Sequence, residues 1–271
     1  MVLWIILILL LVLAGGACFM IAPGKRRDTR RFEGQAFAHR GLFDNEHGVP
    51  ENSLAAFRRA RAHGFGVELD VQLTKDGQVV VFHDDTLERV CGNEGTIGSY
   101  TYQELQRFRL YRTRERIPLF SEVLKELGGM PVICEIKVAA GTDYQALCEK
   151  AAPLIDSYRG DICIESFNPK AVCWFRKNRP EMIRGQLTMN FMKDPGGLPF
   201  PVRLAMSHCL VNVIGRPDFI AYGVDWGETL GFMICRSFHP MLAAWTITSQ
   251  EQQETVRKRY HSVIFDHYIA Q

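Results

Sequence analysis

The sequence predicts an α/β barrel of parallel strands, and three observations carry that reading. About 240 residues follow an N-terminal apolar segment, close to the ~250 of one such domain. Short apolar runs with strand-like alternation recur along that stretch, separated by helical patterns. Four successive runs end in titratable residues: His39-Arg40, Glu68 with Asp70, His83-Asp84, and Glu135 with Lys137. In a parallel barrel the carboxyl ends of the strands form the rim where catalytic side chains gather.

The N-terminal element comes first. Val2 to Ile21 carries no charge. At 1.5 Å per residue, about 20 helical residues span a hydrocarbon core of roughly 30 Å. The rival is a cleaved signal peptide, which normally has a basic start and a shorter apolar stretch. Nothing basic precedes this run. Leu13 to Cys18 is similar to a lipoprotein cleavage site, but its leucine is misplaced. A retained single-pass transmembrane anchor is the expectation. Lys25, Arg26, Arg27, Arg30 and Arg31 crowd the stretch after it, and such clusters stay in the cytoplasm. The expected organisation is an anchor over 1–22, a basic juxtamembrane linker over 23–34 and a catalytic domain over 35–271. That domain is expected on the cytoplasmic side of the cell membrane.

Gln35 to Gly41 reads as the first strand, and Asn52 or Ser53 can cap a helix from Leu54 to Gly64. Gly66 to Thr74 is the second strand; period-2 alternation puts Glu68 and Asp70 on one face. Lys75-Asp76-Gly77-Gln78 is a turn, and Val79 to His83 a third strand. The link between these two is too short for a helix, so the barrel is expected to be irregular there. Residues 85–118 read as a loop-rich excursion with a short helix near Tyr102 to Arg107. Ser121 can cap a helix ending at Gly128-Gly129. Val132 to Val138 turns Glu135 and Lys137 inward. Residues 161–167, 183–189, 218–223, 242–248 and 262–266 are further strands, making nine candidates for eight staves. Gly196 to Ile214 reads as an ordinary barrel helix after a loop, with a membrane-facing or lid segment as the alternative.

Composition narrows the partners. The chain is 47% hydrophobic and 23% charged, ordinary for a globular domain, and its net charge of +2 gives no bulk attraction to nucleic acid. Its eight cysteines form no C-x-x-C pair, which argues against a zinc knuckle or a redox motif. Scattered thiols fit a reducing compartment better than a disulfide framework.

Glu68, Asp70 and Glu135 are hard oxygen ligands, suited to Mg²⁺ or Ca²⁺ rather than zinc. One divalent cation beside Arg40 and Lys137 would neutralise a phosphate and stabilise charge as phosphorus is attacked. His39 and His83 come from different strands and suit the base and acid of that chemistry. Glu68 or Glu135 has a structural alternative, as half of a buried ion pair with Lys137.

The motifs Ala38-His39-Arg40-Gly41, Pro50-Glu51-Asn52-Ser53, Glu68-Leu69-Asp70-Val71, Thr74-Lys75-Asp76-Gly77, His83-Asp84, Glu135-Ile136-Lys137, Ser166-Phe167 and Trp245-Thr246-Ile247 follow in order. Together they resemble the glycerophosphodiester phosphodiesterase family over roughly residues 35 to 268. The second half matches less closely, with Thr248 where the family usually has asparagine and Phe265 where it tends to have threonine. The resemblance implies a TIM-type (β/α)8 barrel and metal-dependent hydrolysis of glycerophosphodiesters to glycerol 3-phosphate and an alcohol. It implies Glu68, Asp70 and Glu135 as metal ligands and His39 and His83 as the acid/base pair. Arg40, Lys137 and Trp245 would bind the substrate. In the implied mechanism the substrate's own glycerol hydroxyl attacks first, giving a cyclic phosphate that water opens. Two other readings stand beside it: a lysophospholipase D or sphingomyelinase D-like phospholipase of related fold, and a membrane-tethered binding protein on an inactive scaffold.

Overall fold

The computed structural model describes residues 1–24, 27–139, 141–194 and 197–271; Lys25, Arg26 and Gly196, singled out above, lie outside them. One sheet holds β1 (Ala36–His39), β2 (Gly66–Leu73), β3 (Val79–Val81), β4 (Val132–Ile136), β5 (Ile162–Ser166), β6 (Arg184–Thr188), β7 (Phe219–Gly223), β8 (Met241–Ile247) and β9 (Ser262–Phe265). Its order is β1-β9-β8-β7-β6-β5-β4-β2-β3, and β1 also pairs with β2. The ring closes there, and every pairing inside it is parallel.

The surplus strand is β3, which lies outside the ring and runs antiparallel to β2. The reason is the turn: Thr74 N donates to Gln78 O, and so short a link cannot carry the crossover that a parallel neighbour needs. His83 therefore does not end a parallel stave, as the sequence reading had it. The strand pair extends above the rim and β3 descends, so that Phe82 N meets Asp70 O and His83 arrives at the rim from above.

Helices fill the connections: α1 (Val2–Ile21), α2 (Leu54–Ala62), α3 (Glu88–Cys91), α4 (Tyr102–Leu105), α5 (Phe120–Leu127), α6 (Tyr144–Ser157), α7 (Pro169–Asn178), α8 (Phe200–Ser207), α9 (Asn212–Gly215), α10 (Leu230–Arg236) and α11 (Gln250–Val256). Ser53 caps α2 by accepting from Ala56 N at 3.1 Å, a contact worth about 1 kcal/mol. The α5 cap differs from expectation. The helix starts at Phe120, and Glu122 reaches back to the Leu119 N–H, so Ser121 lies inside its first turn. Phe120, Val123, Leu124 and Leu127 form its buried stripe, and Gly128 closes it in the left-handed region. The stretch expected to be one helix across 196–214 is two, α8 and α9.

Alternation along the strands separates two cores. Phe37, Ile133, Cys163, Phe219, Met241 and Ile264 fill the barrel interior. Ala38, Val67, Leu69, Cys134, Ile136 and Ile164 face outward beneath the helices. At Gly66 an added Cβ would lie 2.7 Å from the Phe37 ring, so the interior admits no side chain there. Phe32 is fully buried with the interior set and closes the barrel floor, and Arg27 and Arg31 pair with Asp218 and Asp161. The excursion between β3 and β4 has a small core of its own, with Val80, Phe82, Leu87, Val90, Ile97 and Leu105 among its members.

Candidate active site

Two of the parallel registers build the centre of the site. Asp70 on β2 stands opposite Glu135 on β4, and Glu135 opposite Glu165 on β5. All three side chains occupy inward positions one step above the apolar interior. Glu68, one inward position earlier on β2, is opposite His39 on β1. Ligand atoms of Glu68, Asp70 and Glu135 lie within 4.8 Å of one another, and all three residues are buried. A cavity of about 100 Å³ opens beside them; His39, Arg40, His83, Lys137, Glu165 and Trp245 line it.

The loop after β1 is shaped for its work. Arg40 has φ of 56° and Gly41 of 80°, the left-handed region that a non-glycine residue occupies at a cost. Gly41 also lies against α2, where a Cβ would come within 2.9 Å of Ala56. This tight return sends the Arg40 backbone N–H to Glu68 Oε2 at 3.2 Å and its guanidinium to Glu51 Oε1 at 2.7 Å. Asn52, also left-handed, donates to Asp70 Oδ2 at 2.9 Å rather than capping α2.

Both histidines are oriented from behind. His39 Nδ1 is 2.8 Å from Asp266 Oδ2, and His83 Nδ1 is 2.7 Å from Asp84 Oδ1. A carboxylate partner fixes Nδ1 as a protonated nitrogen and turns Nε2 to the cavity, where it accepts a proton in the neutral ring and donates one in the imidazolium. Nε2 of His39 is 3.9 Å from Glu68 Oε2, hence turned to the carboxylates. Arg89, from the excursion, bridges Asp84 and Glu51 with four contacts of 2.6 to 2.8 Å. It thereby ties the partner of His83 to the partner of Arg40.

Charge in the cavity is out of balance. Burial, with Asp70, Glu165 and Glu135 adding to it, pushes the Glu68 carboxyl well above the usual range. Glu165 is pushed up by burial and by Glu135 and Asp70. Glu135 is raised by burial, with Lys137 opposing and Asp70 adding. Burial acts on Asp70 too, but the charges of His83, Lys137 and Arg40 outweigh it and hold Asp70 low. Lys137 Nζ lies 3.5 Å from Asp70 and 3.2 Å from Glu135. Four carboxyls thus face two permanent cations, Arg40 and Lys137. Asp70 Oδ1 and Glu165 Oε2 are buried without a hydrogen-bond donor. A divalent cation fits this set: oxygen donors only, and a deficit of positive charge of the matching size.

The structure brings all eight sequence-predicted residues to one place. His39, Arg40, Glu68, His83, Glu135, Lys137 and Trp245 line the cavity, and Asp70 completes the carboxylate trio behind it. Sequence reasoning missed Glu165 and the orienting role of Asp266. The signal for Glu165 was present, since period-2 alternation turns it inward as it does Glu135. Trp245 carries an indole N–H that is buried and unpartnered, and its ring stands edge-on to Phe167 at 5.6 Å. Phe191 adds to the same apolar wall, 6.0 Å from Phe167.

Comparison with known proteins agrees with the geometry. Residues 39–269 match the family model described as the glycerophosphoryl diester phosphodiesterase family. A glycerophosphodiester phosphodiesterase of Caldanaerobacter subterraneus is 31% identical over 232 residues, covering 82% of this chain and 88% of that protein. One of Bacillus altitudinis is 34% identical over 171 residues, covering 59% of this chain and 68% of its own length. Among solved structures, an Oleispira antarctica phosphodiesterase in complex with the product sn-glycerol-3-phosphate superposes with a TM-score of 0.70 at 22% identity. That match covers 86% of this chain and 93% of the other.

Proposed function

The chain belongs to the glycerophosphoryl diester phosphodiesterase family, and on that premise we propose the chemistry its barrel rim performs. The enzyme is a hydrolase that splits glycerophosphodiesters into glycerol 3-phosphate and an alcohol. The observation that carries the reading is the convergence of three buried carboxylates, two carboxylate-oriented histidines, Arg40 and Lys137 on one cavity.

Arg40 and Lys137 hold the phosphate oxygens. Burial and the Arg40 charge keep His39 below its ordinary value against the pull of Asp266, so its Nε2 is free to accept a proton. His39 takes the proton of the attacking hydroxyl as the new O–P bond forms. His83 gives a proton to the alkoxide as the P–O bond to the alcohol breaks. Glu68, Asp70 and Glu135 would hold one divalent cation, Mg²⁺ or Ca²⁺. When bound, that ion supplies Lewis-acid stabilisation of charge on the phosphoryl oxygens. Trp245 offers its free indole N–H to the substrate, and Glu165 sits close enough to the same space to sense what fills it.

The test uses the full chain in detergent with glycerophosphocholine and added Mg²⁺ or Ca²⁺. Release of glycerol 3-phosphate that EDTA stops is the expected result. Full activity after exhaustive chelation refutes the cation's part. Glu68→Gln, Asp70→Asn and Glu135→Gln should weaken cation binding in calorimetry more than they lower the Tm. Unchanged binding in all three moves the cation elsewhere.

A second reading, a phospholipase D acting on lysophospholipids, draws on the apolar wall of Phe167, Phe191 and Trp245 beside the cavity. The ratio of rates on lysophosphatidylcholine and glycerophosphocholine separates the two. We further propose that α1 spans the cell membrane as a single pass, with the barrel domain that follows it in the cytoplasm. The support is a 20-residue apolar helix of mean hydropathy 2.9, followed by a basic segment.

A further inference from the structure

Resting on the reading of α1 as a span, we propose that the face formed by α8, α9 and α10 is a docking surface for the lipid bilayer. Its occupant is the leaflet into which α1 runs, a bilayer containing anionic phospholipid.

The argument begins with how α1 ends. Of its residues only Ile21 is buried, so the barrel grips the helix by its last turn alone. The grip is specific. Asn212 on α9 donates to Ile21 O at 2.8 Å, and Arg216 donates to Phe19 O and Ala22 O, each at 2.8 Å. The Arg216 guanidinium also lies 4.4 Å over the Phe19 ring. These carbonyls are the ones that a helix C-terminus leaves unpaired. Gly24 N then bonds to Pro217 O, and the chain passes under the barrel. Among the described residues, the chain is thus bonded to the body by Gly24, three residues past the helix.

Length makes this decisive. Twenty residues give about 30 Å of helix, the thickness of the hydrocarbon core and no more. With the last turn of the helix held by α9 and the loop after it, the surface around Ile21 lies at the bilayer boundary.

That surface is apolar where a soluble barrel's outer helices are polar. Leu230 is 63% exposed and Met233 42% on α10, Ile214 40% on α9, and Phe200 54% and Val202 43% on α8. The three helices are joined: α10 and α9 both contact α1, and Gly231 N at the start of α10 bonds to His208 at the end of α8. Single exposed apolar residues are ordinary, but a contiguous group marks an interaction face. Arginines border it. Arg203 lies 5.7 Å over the Phe200 ring with its Nε unpartnered, and Arg176 reaches Ile214 O at 3.2 Å. Glu228, two positions before α10, is neutralised by Arg236 at 2.8 Å. Apolar side chains ringed by arginine suit the headgroup boundary of an anionic leaflet. Because α8 follows the carboxyl end of β6, part of this face adjoins the rim that carries the cavity.

The experiment reconstitutes the full chain in nanodiscs of phosphatidylcholine with 30% phosphatidylglycerol and a fraction of spin-labelled lipid. A fluorophore is placed at Leu230→Cys, Val202→Cys, Leu10→Cys or Gln145→Cys, in a background with Cys18, Cys91 and Cys173 replaced by Ser. Quenching at Leu230 and Val202 by headgroup-proximal spin label, several-fold above the level at Gln145 on α6, is the expected result. Quenching at Leu10 alone, with Leu230 and Val202 matching Gln145, overturns the docking surface and leaves the span intact. No quenching at Leu10 by lipid spin-labelled deep in the acyl chain overturns the span and the docking surface together. Activity on glycerophosphocholine, measured on each labelled protein, reports that the barrel has folded.

Discussion

Each rim histidine gives its Nδ1 to a carboxylate, and that detail decides what substitution should do. His39→Ala and His83→Ala remove a proton-transfer group from a site whose other contacts survive, so each should lower kcat by about 10²-fold or more with little change in Tm. A near-wild-type kcat in either variant makes that histidine structural. Asp266→Asn should also lower kcat while leaving KM close to its starting value, because it disturbs only the tautomer of His39. Glu51 makes a different prediction. Burial works against its charge, but Arg89 and Arg40 win and hold its carboxyl at about 2 against an ordinary 4.5. A depressed carboxyl stabilises the fold above its unfolded value and loses that contribution as pH falls, here from about 4.5 towards 2. The loss is roughly 3 kcal/mol if the pair remains buried. Glu51→Gln should therefore unfold more readily at pH 7 and show a flatter stability profile between pH 5 and pH 2, measured by urea titration. A profile parallel to wild type shows that the pair contributes nothing. Apart from Trp245, which came from the resemblance alone, the residues that sequence reading found share one property: they sit at run ends as dipeptides or i, i+2 pairs. Glu165 stands alone in Ile-Cys-Ile-Glu-Ser and looks there like the end of a buried strand. Asp266 was visible only as part of a final strand, since its partner is 227 positions away.

At the scale of elements, the strands were legible to within a residue or two because buried parallel strands are short apolar runs bounded by turns. Their direction was legible for the eight parallel staves and not for the third run. The Lys75-to-Gln78 turn left no room for a helix, yet only the pairing of Val71 with Val81 shows that β3 leaves the ring and returns His83 to it. The excursion after β3 was the least readable part. Its core residues lie on short helices and turns with no period to detect, and they close on one another rather than on the barrel. Its function also lies in one side chain. Arg89 on α3 links Asp84 and Glu51, and so couples the elements that carry His83 and Arg40. Arg89→Ala should lower kcat about 10-fold or more, with KM rising less, and should shift the acidic limb of the pH–rate profile. Arg89→Lys restores charge without the fork, so it should recover only part of the loss. Equal activity in Arg89→Lys and wild type would reduce the residue to a surface ion pair.

For the whole molecule, the barrel follows from the sequence, but its placement follows from the ends of the chain. The eight cysteines are all free thiols, most of them buried in the outer core or the barrel interior, where they serve as small apolar groups. We propose that the barrel lies in the cytoplasm, on the strength of the scattered thiols and of the basic stretch after α1. Arg27 and Arg31 are bonded to Asp218 and Asp161 beneath the barrel and Arg30 to Asp28 beside them, so these arginines are held close to the exit of the helix, each against a carboxylate. Moving that cluster across a membrane is disfavoured, so the N-terminus should face out and the barrel the cytoplasm. A cysteine placed at the exposed Glu94 of the excursion, with Cys18, Cys91 and Cys173 replaced by Ser, reports the side. A membrane-impermeant maleimide applied to intact cells should leave Glu94→Cys unlabelled and should label it once the cells are opened. Labelling in intact cells puts the barrel outside. The apolar helix is then an outward-directing anchor or a signal, and the enzyme meets the diesters of the cell exterior instead of those released by lipid turnover within.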